Sequence, residues 1–146
     1  MTRTSLRKTF AGKSSVSAQD YLNSIDQLEH DIQVEFFNLL HFFKFEGIPL
    51  KECVYAIPNG GQRGKKVAGE MKAEGVLKGV LDIHCYIPRN GYHSLYIEMK
   101  KPKTGRLSPE QKIMIERLRL YGHKVEVHTT ANGALDELLN YLGLKK

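Results

Sequence analysis

Apolar residues recur through residues 20–46, "DYLNSIDQLEHDIQVEFFNLLHFFKFE", at Leu22, Ile25, Leu28, Ile32, Phe36, Leu39, Leu40 and Phe43. Steps of three and four place them on one helical face, so the pattern predicts an amphipathic helix. Gly47 and Pro49 stop it. "KECVYAIP" (51–58) reads as a strand and "NGG" (59–61) as the turn after it. Residues 65–74 form a short basic helix ending at Gly75. Two strands follow, "GVLDIHCYI" (79–87) and "YHSLYIEMK" (92–100), around "PRNG". Ser108 then suits a helix N-cap, Pro109 the first helical position and Gln111 the return bond of a capping box. Ile115 and Leu118 continue an inward stripe, and Gly122 ends the helix. "KVEVHT" (124–129) is a strand in which Val125 and Val127 alternate with Glu126 and His128, and residues 131–142 are a closing amphipathic helix. This α/β order suits a central mixed sheet flanked by helices.

Alternation sorts the two middle strands into faces. Leu81, Ile83, Cys85 and Ile87 point one way, and Asp82, His84 and Tyr86 the other. In the next strand Leu95, Ile97 and Met99 oppose Ser94, Tyr96, Glu98 and Lys100. In a hairpin the apolar faces must coincide, because a one-residue slip would expose one apolar set. That sets Asp82 opposite Glu98 and His84 opposite Tyr96. A strict two-residue Asn90-Gly91 turn would mix the faces. The expectation is therefore a three-residue loop, Arg89-Asn90-Gly91, or an equivalent bulge.

That register gives the polar face a chemistry. Asp82 and Glu98 become cross-strand neighbours with Cβ atoms about 5 Å apart, and Lys100 follows on the same face. Like charges directly opposite cost stability. A divalent cation would relieve them, since Mg²⁺ takes one or two carboxylates plus waters and a phosphate. Lys100 could then hold or help deprotonate an attacking water, or stabilise charge on phosphorus. The alternative is a solvated cluster in which Lys100 neutralises the acids. Spacing alone leaves both open.

Charge and composition narrow the setting. The 146 residues allow one ordinary domain. Residues 1–19 read as a polar, basic, mobile arm without a secretory h-region, and 20–146 as the single domain. No apolar run is long enough to span a membrane, so a cytoplasmic location is expected. Cys53 and Cys85 fall in predicted strands and read as reduced core thiols. With 22 Lys and Arg against 16 Asp and Glu, the chain carries a net +6, which suits a polyanionic partner. Basic residues gather in the arm, in "GQRGKK" (61–66) and in "KKPKTGR" (100–106).

Glu98-Met99-Lys100, with Asp82 on the adjacent strand, resembles the Asp…(Asp/Glu)-x-Lys nuclease superfamily. The surrounding text narrows the likeness. "AIPNGG" (56–61), "KAEGVLKGVLDIHCYI" (72–87) and "LYIEMKKPKTGRLSPEQKIMIERLRLYGHKVEV" (95–127) resemble the virus-type replication-repair nuclease (VRR-NUC) family over residues 27–142. The resemblance implies a restriction-endonuclease-like core in αβββαβ order with extra helices. It also implies Mg²⁺- or Mn²⁺-dependent cleavage of DNA. Stand-alone members, often from phages, act as homodimers on branched DNA, including Holliday (four-way) junctions. Flap or linear duplex DNA is the alternative substrate, and a non-catalytic DNA-binding module on the same fold is the competing class.

Carried over by position, the resemblance makes Glu29, Asp82 and Glu98 metal-binding acids, with the Met99 main-chain carbonyl as a further ligand. Lys100 becomes the catalytic lysine, and Gln111 a group that orients water or phosphate. Glu35 is the alternative to Glu29 as the helical acid, and Gln33 lies one turn beyond Glu29. Leu81 stands where many members have proline. Asn59, Arg63, Lys65, Lys66, Lys101, Lys103 and Arg106 are the expected DNA-backbone contacts. His84 reads as structural rather than a ligand, and Phe36, Phe37, Phe42, Phe43 and Phe45 as core or a dimer contact.

Overall fold

The computed structural model describes residues 17–58 and 65–146, and the side chains of all of these except 18–27. Helix α1 spans Ala18–Leu39 and passes into a 3-10 turn, Leu40–Phe42. A two-stranded hairpin follows, β1 (Lys44–Phe45) and β2 (Ile48–Pro49), then a helical turn α2 (Leu50–Cys53) and strand β3 (Val54–Ala56). Helix α3 is Lys65–Ala73, β4 is Ile83–Cys85 and β5 is Leu95–Met99. Helix α4 (Pro109–Leu120), strand β6 (Lys124–His128) and helix α5 (Ala131–Leu142) complete the order.

Four strands form one sheet in the order β3-β4-β5-β6, the first two pairings antiparallel and β5–β6 parallel. This is the mixed α/β architecture that the hydropathy pattern predicts. One sheet face carries the main core. Phe36 and Leu40 from the first helical stretch pack with Ile83, Leu95, Ile97, Met99 and the α5 residues Leu135, Leu138 and Leu142. Burying each such side chain is worth about 1.5–3 kcal/mol. The opposite face carries a thinner cluster, Leu81, Ile115 and Val125, with Tyr96, Leu107 and Leu118 against it. Helix α4 lies on that side.

Several expectations are corrected. The first helix ends at Leu39 rather than running to residue 46; Glu46 and Gly47, with φ of 50° and 86°, turn the chain into a hairpin instead. Phe42 is 79% exposed, whereas Phe36 and Phe45 are core and Phe37 and Phe43 pack on it. Residues 51–53 are helical, so the strand predicted from residue 51 begins at Val54. Leu81 precedes β4 and packs on the α4 side, not with Ile83. Val127 is 37% exposed at the sheet edge, while Val125 is buried.

The middle register is the one alternation requires: Ile83 opposite Ile97, His84 opposite Tyr96 and Cys85 opposite Leu95. The connection differs from the three-residue loop. Arg89 bridges Tyr92 around a two-residue turn, with φ of 52° at Asn90 and 80° at Gly91, as a primed hairpin turn demands. Residues 86–88 then oppose only 93 and 94, so one extra residue is absorbed as a bulge after β4 ends. The Tyr141 hydroxyl secures that segment. It donates to the Ile87 carbonyl at 2.6 Å and accepts from Arg89 N at 3.1 Å. Cys53 and Cys85 are free and buried, and burial pushes the Cys85 thiol up to about 11.

Candidate active site

The site forms where β5 ends. Asp82 sits one residue before β4, so the ladder is completed by its side chain. Its main-chain carbonyl accepts from Ile57 N at 2.7 Å, and its Oδ2 accepts from Met99 N at 2.9 Å. In a strand the N–H and C=O of one residue lie on the same edge, so the Met99 carbonyl belongs to the Asp82 side.

Glu98 has no solvent exposure. Its Oε1 accepts from Lys100 Nζ at 2.7 Å and from Gln111 Nε2. Its Oε2 is buried and has no hydrogen-bond partner among the described residues. Burial, reinforced by the Asp82 charge, pushes the Glu98 carboxyl up to about 7. Burial likewise raises Asp82, although the Met99 N–H and Lys100 oppose it. Burial disfavours the Lys100 ammonium, but its bond to Glu98 and the nearby charges of Glu29 and Asp82 prevail and hold it above the usual lysine range.

Gln111 is fixed by the helix it starts. Ser108 Oγ accepts from Gln111 N at 3.1 Å, and Ser108 N donates to Gln111 Oε1 at 2.9 Å. The capping box is complete, and it leaves the amide Nε2 aimed at Glu98. Both ends of the Gln111 amide are therefore engaged within the protein, Oε1 by Ser108 N and Nε2 by Glu98.

Glu29 reaches the site from α1. Its Oε1 accepts from Lys101 N at 3.0 Å, and its Oε2 is 4.0 Å from Lys100 Nζ. Glu35, the alternative helical acid, is exposed, and Gln33 is half-buried. Three carboxylates thus surround a single ammonium. Ionised, they leave a local charge of about −2, which a divalent cation would neutralise. Among the described residues no group of three or more His, Cys, Asp or Glu side chains is placed to hold a metal ion. An open site of two carboxylates, completed by water and phosphate, needs none. The unpartnered Oε2 of Glu98 beside Asp82 fits such an ion.

The loop after Lys100 is tightly folded. Gly105 N donates to the Lys101 carbonyl at 3.0 Å, and a Cβ on Gly105 would lie 2.6 Å from that oxygen. Arg106 donates to the carbonyls of Lys103 and Gly105 at 3.2 and 3.1 Å, so its guanidinium braces the loop. Lys103 is exposed and in the left-handed region, with φ of 66°. Lys65 and Lys66 are exposed at the start of α3. Asn59 and Arg63 lie outside the described residues, as do residues 1–16 of the expected arm; α1 begins at Ala18, inside its predicted span.

Sequence reasoning passed over the neighbours of His84. Tyr55, Tyr96 and His123 join it in one cluster of rings. Only the pairing of β3 with β4 reveals it, because Tyr55 lies 29 residues from His84 in the chain.

The fold agrees with the comparisons. The VRR-NUC domain family model matches residues 40–132. A solved structure described as a VRR_NUC domain protein superposes with a TM-score of 0.69 at 29% identity, covering 81% of this chain and 90% of that one. Among curated proteins none matches. The chain belongs to the VRR-NUC domain family. Membership implies a nuclease of the Asp…(Asp/Glu)-x-Lys type, a class that generally uses divalent metals and binds DNA. Among the described residues no helix is long and apolar enough to cross a membrane.

Proposed function

We propose that the protein is a Mg²⁺- or Mn²⁺-dependent DNA endonuclease that acts as a homodimer on branched DNA, with the four-way junction as its substrate, in the cytoplasm. The observation that carries the reading is the buried, unpartnered Oε2 of Glu98 beside Asp82, in a site with more carboxylates than cations. Asp82 and Glu98 would hold the ion together with the Met99 carbonyl, and Glu29 would close the α1 side. A bound divalent ion supplies positive charge to the phosphate oxygens and activates water.

The chain's own groups do the rest. Lys100, held as an ammonium, donates to the negative charge that grows on the phosphate. Gln111 orients Glu98 through a bond that the capping box fixes. Lys65, Lys66, Lys101 and Lys103 contact the sugar-phosphate backbone without reading bases, which favours recognition of DNA structure over sequence. A two-fold dimer offers two such sites to a junction of similar symmetry.

The test is cleavage of labelled four-way junction, flap and linear duplex with Mg²⁺, Mn²⁺ or EDTA. Cutting should need the metal and favour the junction. Lys100→Ala and Asp82→Ala should abolish it while DNA binding persists. Full activity in either variant would overturn the site assignment, and equal cutting of all three substrates would remove the junction claim alone.

A further inference from the structure

Three rings on three adjacent strands form a straight row across the sheet. Tyr55 of β3 is the register partner of His84 of β4, and His84 that of Tyr96 of β5. The Tyr55 hydroxyl lies 2.6 Å from His84 Nδ1, and His84 stacks on Tyr96 with centroids 4.4 Å apart. His123 extends the row, 5.5 Å from the Tyr96 ring and held by Ser94 Oγ at 2.7 Å.

Residues two apart in a strand share a face. Tyr96 therefore shares its face with Glu98, and His84, the register partner of Tyr96, lies on that face too. The rings are the next row of the face that carries the acids, one strand repeat, roughly 7 Å, away. The β3 end of the row is open, with Tyr55 48% exposed.

The orientation of the rings decides what the row can bind. His84 and Tyr96 lie 25° from parallel, side by side on neighbouring strands, so they stand upright on the sheet. These two rings therefore offer edges rather than stacking faces, while Tyr55, at the open end, is turned 82° from His84. With the Tyr55 hydroxyl as the donor, Nδ1 is the acceptor and the ring proton sits on Nε2. His84 Nε2 is then a fixed N–H donor beside the acid row.

We propose that this row docks the substrate's sugar-phosphate backbone, with His84 Nε2 donating to the phosphodiester next to the one cut. The proposal rests on the nuclease reading of the acid site. A DNA strand is the occupant because the row continues the face that holds the acids, and because the chain carries a net +6. His84 is a positioning residue: it holds the neighbouring phosphate and leaves the reacting one to Lys100.

The test compares wild type, His84→Ala, His84→Gln and Tyr55→Phe. Affinity for four-way junction and duplex is measured in EDTA, and cleavage kinetics in Mg²⁺. His84→Ala should raise Kd and KM about tenfold, the scale of one hydrogen bond to a charged group, with kcat nearly kept. His84→Gln retains an N–H near the Nε2 position and should recover most of the loss. Tyr55→Phe frees the tautomer and should fall between. Wild-type Kd and KM in His84→Ala would overturn the proposal. So would a fall in kcat with KM unchanged, which marks a group acting on the reacting phosphate. A wild type that binds DNA but cuts none with either metal overturns the nuclease reading instead, and the affinity arm then decides the row by itself.

Discussion

Raising the pH from 5 to 8 without divalent ions should destabilise the domain through Glu98. Its carboxyl is displaced from 4.5 to about 7 by burial and by the Asp82 charge. A raised folded-state pKa means that the folded protein holds a proton the unfolded chain has released. The stability this contributes is complete below about 4.5 and is lost as the pH rises through about 7. At about 1.4 kcal/mol per pH unit of displacement, the full effect is about 3 kcal/mol. For a domain of this length that corresponds to roughly 6–12 °C in Tm. His84 and His123 work the other way, because burial lowers both and so favours the folded state at higher pH. The informative quantity is therefore the difference between wild type and Glu98→Gln. Urea denaturation of both in EDTA at pH 5 and pH 8 measures it. Wild type should lose about 3 kcal/mol more than the variant, and Mg²⁺ at pH 8 should restore much of it. An identical pH dependence in the two proteins would refute the account of Glu98 as a buried, under-compensated acid.

Ser108→Ala removes the Oγ cap of α4 but keeps the main-chain N–H that holds Gln111 Oε1, so it should cost about 1 kcal/mol in denaturation with the Gln111 side-chain contact retained. Gly105→Ala places a Cβ 2.6 Å from the Lys101 carbonyl, so it should displace the loop and lower both stability and cutting, read by Tm and by a junction assay. Glu29→Ala frees the Lys101 N–H and removes a carboxylate near Lys100; it should depress cleavage at least tenfold, while Glu35→Ala, on the exposed side of α1, should cut as wild type does.

What could be read in the sequence follows from how local its cause is. The capping box around Ser108 and Gln111 and the helix at 131–142 depend on neighbours a turn away, and both form as read. The β4–β5 register follows from alternation, because a slip would expose Ile83 and Ile97 together. The turn followed only through its alternative, the equivalent bulge. Face matching argued against a two-residue Asn90-Gly91 connection, yet the bulge at 86–88 reconciles it with the register, and its Tyr141 anchor is remote in sequence. The β1–β2 hairpin is too short to show any period, and it took the end of a helical pattern with it. In the site, the Asp82–Glu98–Lys100 face was legible from spacing, whereas Glu29 came only through family likeness. Its approach to Lys101 depends on how α1 docks across the sheet. The Tyr55–His84–Tyr96 row needed the β3 pairing, which no local pattern contains.

The capping box has a consequence for how the protein would fail. The two bonds of the box start α4 and aim Gln111 at Glu98 together, so winding that helix and assembling the acid site are one event. The cluster beneath α4 is thin, Leu81, Ile115 and Val125, whereas α1 and α5 share the large core. Local opening is cheapest where few apolar side chains are buried. Helix α4 should therefore exchange its amide hydrogens faster than α5, and on heating the protein should fall catalytically silent before its main core melts.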